Sequence, residues 1–218
     1  MIISHGRRYI FVHAPKTGGT SLALMLEGKA MKDDILLGDT PKARNRRGRV
    51  KDVETSGRLW KHSMLTDIYG LVTQAEIEDF FVFTLVRNPW DRMVSYYHWL
   101  RAQDFDHPAV ERAKALEFRP FVLDPLILAS MEANPFTRYV TDRDGVLRGD
   151  HFVRLDHMAQ DLEMVEARIG CKLGPVAHEN ASNRDRDYRH YYGAVEAEAL
   201  AKACKSDIER FGYAFDPA

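Results

Sequence analysis

The sequence predicts an α/β domain with a central, mostly parallel sheet flanked by helices. Two short runs of β-branched and aromatic residues, 9–12 and 80–86, are each followed by signals that start a helix. A third predicted strand, residues 151–155, precedes residues 158–169, whose apolar side chains recur with helical spacing. Strands that alternate with helices in this way are typical of parallel α/β folds.

The first predicted strand, Tyr9 to Val12, is followed by Gly18-Gly19 and then by an apolar helix, which Thr20 or Ser21 is expected to cap. Residues 31–60 have little apolar periodicity, and we expect an exposed loop there. Its basic residues lie close together: Lys42, Arg44, Arg46, Arg47, Arg49 and Lys51. Short helices are predicted over residues 63–71 and 73–79.

The continuous apolar run of residues 80–86 predicts a central strand that is buried on both faces. In the helix that follows, Asn88 is a good N-cap, Pro89 suits the first position, and Asp91 favours the first turn. Further along, residues 120–129 and 194–211 are predicted helices, residues 142–145 a turn, and residues 179–187 a polar loop.

Composition and charge exclude some classes of protein. The 218 residues suit a single domain, 1–218, and the 31 Lys and Arg nearly cancel the 32 Asp and Glu, so net charge indicates no partner. No apolar run reaches the roughly 18 residues that a membrane span needs, and the first residues lack a signal-peptide core, so a cytoplasmic protein without an integral membrane segment is expected. Cys171 and Cys204 are expected to be reduced packing thiols.

The loop from Pro15 to Ser21 has the composition of an anion site. Two glycines let successive backbone N–H groups turn toward one point, the helix N-terminus adds positive potential, and Lys16 adds a full charge. The hydroxyls of Thr17, Thr20 and Ser21 are further donors. Together with Gly18 and Gly19, these residues are candidates for binding an anion. A plain Gly-Gly turn is one alternative. A P-loop kinase or NTPase is another, although its lysine follows the glycines.

A second candidate anion site follows the second strand. Arg87 stands at the strand's carboxyl end, where ligands bind in open α/β sheets, and Ser95 lies eight residues later in the next helix. An ion pair for Arg87 and an ordinary helix-face serine are the alternatives. Two anion sites together predict a bisphosphorylated ligand.

These two segments carry a resemblance to a known family. Residues 11–21, FVHAPKTGGTS, resemble the 5′-phosphosulfate loop of sulfotransferases that use 3′-phosphoadenosine-5′-phosphosulfate (PAPS), and residues 85–95 resemble their 3′-phosphate motif. The likeness is greatest to the branch of heparan sulfate 2-O-sulfotransferase and bacterial carbohydrate sulfotransferase-like proteins. More weakly, residues 154–156 resemble the family's Arg-Phe-Glu segment, and residues 207–213 its C-terminal signature.

The resemblance implies a P-loop-like, three-layer α/β fold and transfer of the PAPS sulfuryl group to an acceptor hydroxyl, leaving 3′-phosphoadenosine-5′-phosphate (PAP), without a metal. It implies that Lys16 and the backbone of residues 17–21 bind the 5′-phosphosulfate, and that Arg87 and Ser95 bind the 3′-phosphate. Ser182 is a weaker candidate for the same pocket. His62 lies where the 2-O-sulfotransferase branch places its catalytic histidine; a capping or surface histidine is the alternative. The implied acceptor is a saccharide or glycoconjugate.

Two rival functions stay open from the sequence. Mg²⁺-dependent ATP turnover without PAPS binding would indicate a kinase or NTPase. A nucleic-acid-binding module that uses residues 42–51 would show salt-sensitive binding that survives loss of Arg87; no nucleic-acid partner is expected.

Overall fold

The computed structural model describes residues 1–174, 185 and 187–216, which form a mixed five-stranded sheet and eleven α-helices within that part of the chain. The strands are β1 (Ile2–Ser4), β2 (Tyr9–Val12), β3 (Ile35–Leu36), β4 (Phe81–Val86) and β5 (His151–Arg154). The helices are α1 (Gly19–Gly28), α2 (Pro41–Arg46), α3 (Gln74–Asp79), α4 (Pro89–Arg101), α5 (Pro108–Ala115), α6 (Phe118–Val122), α7 (Pro125–Ala133), α8 (Phe136–Tyr139), α9 (Met158–Ile169), α10 (Ala194–Ala203) and α11 (Lys205–Phe211).

The strand order is β3-β1-β2-β4-β5, and β2, β4 and β5 pair in parallel. β1 is antiparallel to β2, and β3 is antiparallel to β1, so β3 points the same way as the three parallel strands. The predicted α/β fold with a central, mostly parallel sheet is confirmed. The sequence did not predict β1 and β3, which are two or three residues long.

The described residues group into two compact units, one of residues 1–86 and 136–174 and the other of residues 87–135, 185 and 187–216. The single domain predicted over residues 1–218 stays a prediction. In the first unit, alternate residues of β2 and β4, such as Phe11 and Phe83, share one hydrophobic cluster with Leu22 of α1 and Val165 of α9. All six residues of β4 are buried, as predicted for a strand covered on both faces.

Helix α4 begins as the sequence predicts. The Asn88 side chain accepts hydrogen bonds from the backbone N–H groups of Trp90 and Asp91, and Pro89 occupies the first helical position. In the second unit, the Trp90 indole N–H donates to the Ala197 carbonyl at 3.0 Å, and the Tyr192 hydroxyl donates to the Trp90 carbonyl at 2.8 Å. These bonds fix the start of α4 against the C-terminal helices.

Residues 31–60, which the sequence predicted to be an exposed loop, contain short elements of secondary structure. Thr40 caps α2, a 3₁₀ turn follows over Arg47–Val50, and Arg46 donates to the backbone carbonyls of Met31 and Asp34 at 2.8 and 2.9 Å. Arg49 donates in the same way to the Lys32 carbonyl. Because these guanidinium groups satisfy carbonyls of the preceding segment, part of the basic composition holds the segment together.

Three other predicted elements differ in detail. Residues 63–71 contain a 3₁₀ turn, Leu65–Asp67, instead of a helix, and the helices predicted at 120–129 and 194–211 each form a pair of shorter helices with a break between them. Residues 142–145 form the predicted turn, in which the Gly145 N–H donates to the Asp142 carbonyl. Most of the predicted polar loop 179–187 lies outside the described residues. Within the described ranges, no helix is long and apolar enough to cross a bilayer.

Candidate functional site

The anion cradle predicted at residues 15–21 lies between β2 and α1. Lys16 and Gly18 both have positive φ, 64° and 78°, and Gly18 is the residue that precedes α1. A non-glycine residue in this conformation costs on the order of 1–3 kcal/mol, and such residues are enriched at functional sites. The turn directs the chain into the first turn of α1, whose N–H groups have no acceptor within the helix.

Two buried hydroxyls brace this loop. The Thr17 side chain is fully buried, and its hydroxyl donates to the Ala14 carbonyl at 2.8 Å. Thr84 on β4 donates to the carbonyl of Val12, the last residue of β2, at 2.7 Å. The Thr17 hydroxyl therefore stabilises the loop, and we do not expect it to be a phosphate donor.

The side-chain cap predicted for α1 is wrong. Neither Thr20 nor Ser21 caps the helix; the left-handed Gly18 does so without a side-chain bond. Thr20 is exposed and Ser21 is buried. Thr20 therefore lies in the exposed first turn of α1, within the predicted anion site.

Both glycines of the loop are required by close neighbours. A Cβ on Gly19 would lie 2.2 Å from Cδ2 and 2.4 Å from Nε2 of the buried His13 ring. A Cβ on Gly18 would lie 2.9 Å from Leu155, which follows β5 in the segment that resembles the family's Arg-Phe-Glu. The loop is therefore packed closely against both neighbours.

His62 lies directly beside this loop. Its Nδ1 is 2.7 Å from the His13 carbonyl oxygen, and the two imidazole rings meet edge to face with centroids 4.7 Å apart. A carbonyl only accepts, so Nδ1 carries the proton and Nε2 keeps its lone pair. Burial lowers the pKa of His62 to about 4, although the bond to His13 opposes this effect. The ring is neutral at pH 7 and is in the tautomer that a base requires.

Burial also lowers the pKa of His13 well below its usual range, and the positive groups nearby act in the same direction. His13 is stacked on Phe11 with ring centroids 5.9 Å apart. His13 is consequently a neutral ring that lies between the start of α1 and His62. The sequence interpretation did not assign it a role.

Arg87 follows β4 and is held by a carboxylate on α4. Its Nε and Nη2 lie 2.8 and 2.7 Å from Oδ2 of Asp91, and only 12% of the Arg87 side chain is exposed. Asp91 and Ser95 are one turn apart on α4 and so share a face of the helix. The ion pair that was the alternative for Arg87 is present, and it holds the guanidinium against Asp91, one turn from Ser95 on α4. Sequence reasoning had assigned Asp91 only to the helix dipole.

The remaining candidates are Ser182 and a metal ion. Ser182 lies outside the described residues. Within the described part of the chain, no group of three or more His, Cys, Asp or Glu side chains is arranged to hold a metal ion.

Comparison with known proteins identifies the family. A sequence model described as the sulfotransferase family matches residues 1–142, which include Lys16, His62, Arg87 and Ser95. The chain belongs to the sulfotransferase family. It is accordingly a PAPS-dependent sulfotransferase that acts on a hydroxyl-bearing acceptor, as the resemblance of the two motifs implied.

Further comparisons add little to this assignment. A comparison with curated proteins gave no significant match. Among solved structures, this sulfotransferase is similar to mouse sulfotransferase SULT7A1 complexed with PAP, at 15% sequence identity and a TM-score of 0.48, with 92% of this chain and 83% of the mouse chain covered.

Proposed function

We propose that this sulfotransferase transfers the sulfuryl group of PAPS to a hydroxyl of a saccharide or glycoconjugate, with His62 as the general base. In this proposal Lys16 and the backbone of residues 17–21 hold the 5′-phosphosulfate, and Arg87 and Ser95 hold the 3′-phosphate. The saccharide acceptor rests on the resemblance of residues 11–21 and 85–95 to the carbohydrate branch of the family.

The observation that carries the proposal is the bond between His62 Nδ1 and the His13 carbonyl, because His13 belongs to the segment that continues into Lys16. The bond supports the proposal because the imidazole is neutral, keeps its Nε2 lone pair and lies next to the segment that leads to Lys16. A positioned base of this kind contributes about 10²–10⁴-fold to a rate.

The cradle fits the 5′ end of the proposed cofactor by its chemistry. Positive φ at Lys16 and Gly18 and the N-terminus of α1 provide backbone donors and positive potential for phosphate oxygens. When bound, PAPS supplies a sulfuryl group activated by its attachment to phosphate. The chain's own residues then hold the cofactor, accept the acceptor proton at His62 Nε2, and balance negative charge with the Lys16 ammonium.

Calorimetric titration with PAP tests the assignment of the binding residues. Lys16→Ala and Arg87→Ala should each weaken PAP binding by about 10- to 150-fold, since a charged hydrogen bond contributes about 1.5–3 kcal/mol. Lys172→Ala is the control, because Lys172 is 84% exposed and pairs with Glu166. Absence of PAP binding by the wild-type protein, or full binding by both site variants, would overturn the proposal.

His62 has a separate test. His62→Asn keeps a donor for the His13 carbonyl and removes the base, so turnover should fall by about 10²–10⁴-fold while PAP affinity stays unchanged. Near-normal turnover would remove His62 as the base and leave the PAP assignments standing.

A further inference from the structure

A groove of about 570 Å³ lies in the first unit, lined by side chains from residues 36–61. Its volume is within the range of about 300–1,000 Å³ that small-molecule sites occupy. A second cavity, of about 230 Å³, shares Gly38, Asp39 and Lys61 with the groove and is also lined by His13 and Thr20. The second cavity therefore lies beside the start of α1 and is a neighbour of the groove.

Trp60 lines the groove two residues before the proposed base. It is 45% exposed, and its ring meets the His62 ring edge to face, with centroids 5.0 Å apart. The Arg58 guanidinium lies 5.8 Å from the centroid of the Trp60 ring. An exposed indole beside a base offers a flat apolar surface to a substrate ring.

The turn that carries Trp60 and His62 is built to hold them in place. The Ser63 side chain is fully buried; its hydroxyl accepts from the Trp60 N–H at 2.9 Å and lies 3.0 Å from the carbonyls of both Arg58 and Trp60. Buried hydroxyls bonded on several sides fix a backbone conformation. The exposed Trp60 side chain is therefore carried by a turn whose backbone is fixed.

The charged residues that line the groove are mostly positive: Arg47, Lys51, Arg58 and Lys61, against Asp39. Asp39 is ionised and already compensated. Its pair with Lys61, at 2.9 Å, lowers the pKa of the carboxyl group, and Arg47 approaches it at 4.0 Å. Four cations and one anion leave a net charge of three positive units on the lining, which suits an anionic ligand.

We propose that this groove is the acceptor subsite, and that it takes a pyranose carrying a carboxylate or sulfate group, whose ring stacks on Trp60 while the cationic rim binds the acid group. The C–H groups on one face of a pyranose complement the negative face of the indole. The inference rests on the proposed function and names the acceptor class and the residue that determines it.

Titration calorimetry with three trisaccharides, with and without PAP, tests the inference: trigalacturonate, sulfated maltotriose and neutral maltotriose. The two acidic trisaccharides should bind at least about tenfold more tightly than maltotriose, and less tightly as salt rises. Trp60→Ala should weaken their binding by at least about fivefold, because a ring packed on an aromatic face gains free energy beyond the area that it buries. Trp60→Phe should restore most of that loss.

Trp99→Ala is the matched control, because Trp99 is an exposed tryptophan, at 39%, outside the groove. It should leave trisaccharide binding unchanged, and PAP affinity should be unchanged in every Trp60 variant. Equal binding of acidic and neutral trisaccharides, binding of none of them by the wild-type protein, or wild-type affinity in Trp60→Ala would overturn the inference. Loss of PAP affinity in Trp60→Ala would instead place Trp60 at the cofactor. Failure of PAP binding in the wild-type protein is read in a separate titration and concerns the proposed function alone.

Discussion

Replacing Gly19 with Ala tests the packing between the cradle and His13. The new Cβ would lie 2.2 Å from His13 Cδ2, whereas carbon atoms in contact are about 3.5–4.0 Å apart. The ring cannot move aside freely, since it is 6% exposed and lies between Phe11 and His62. Overpacking of this kind costs about 1–3 kcal/mol.

For a chain of this size, that cost lowers Tm by roughly 2–12 °C. Displacement of His13 also moves the carbonyl and ring that hold His62, and it disturbs the first turn of α1. We therefore expect Gly19→Ala to weaken PAP binding and to lower turnover, in addition to its effect on the free energy of unfolding.

Gly28→Ala provides the matched control at the other end of α1. A Cβ there meets nothing within 4 Å, so the gain in helix propensity, about 0.5–1 kcal/mol, should raise the free energy of unfolding. Thermal unfolding followed by circular dichroism and calorimetry with PAP measure both effects. If Gly19→Ala is as stable as Gly28→Ala and binds PAP with wild-type affinity, the close packing of His13 on α1 does not exist.

Two further predictions concern Asp91 and His62. Asp91→Asn should weaken PAP binding by about 5- to 30-fold, because the partly buried Arg87 loses the ion that orients it. Binding of adenosine 5′-phosphosulfate, which lacks the 3′-phosphate, should be unchanged. Equal losses for both ligands in calorimetry would contradict this role. The His62 imidazole signal in NMR, assigned by its loss in His62→Asn, should not titrate between pH 6 and 8 in the free protein, because its pKa is about 4. This folded pKa is below the unfolded value of about 6.5, so the stability that neutral His62 contributes is lost as the pH falls from 6.5 toward 4. An NMR titration midpoint near 6.5 would refute the assignment.

The sequence alone determined the features that depend on neighbouring residues. Strand β2, the glycine loop, strand β4 and the Asn88 cap are all encoded locally, by apolar runs and by residues with strong positional preferences. Lys16, Arg87 and Ser95 could be singled out because each stands at a fixed offset from a predicted strand. His62 was found only through resemblance to the family.

Tertiary structure decided the features that depend on residues distant in the chain. Strands β1 and β3 exist because they pair with a neighbour, and a strand of two or three residues has too little periodicity to be recognised. The basic segment after α1 is ordered by arginine bonds to carbonyls about fifteen residues earlier, as for Arg46 and Met31. The site shows the same division: the tautomer of His62 depends on a carbonyl 49 residues away, which no local sequence pattern encodes.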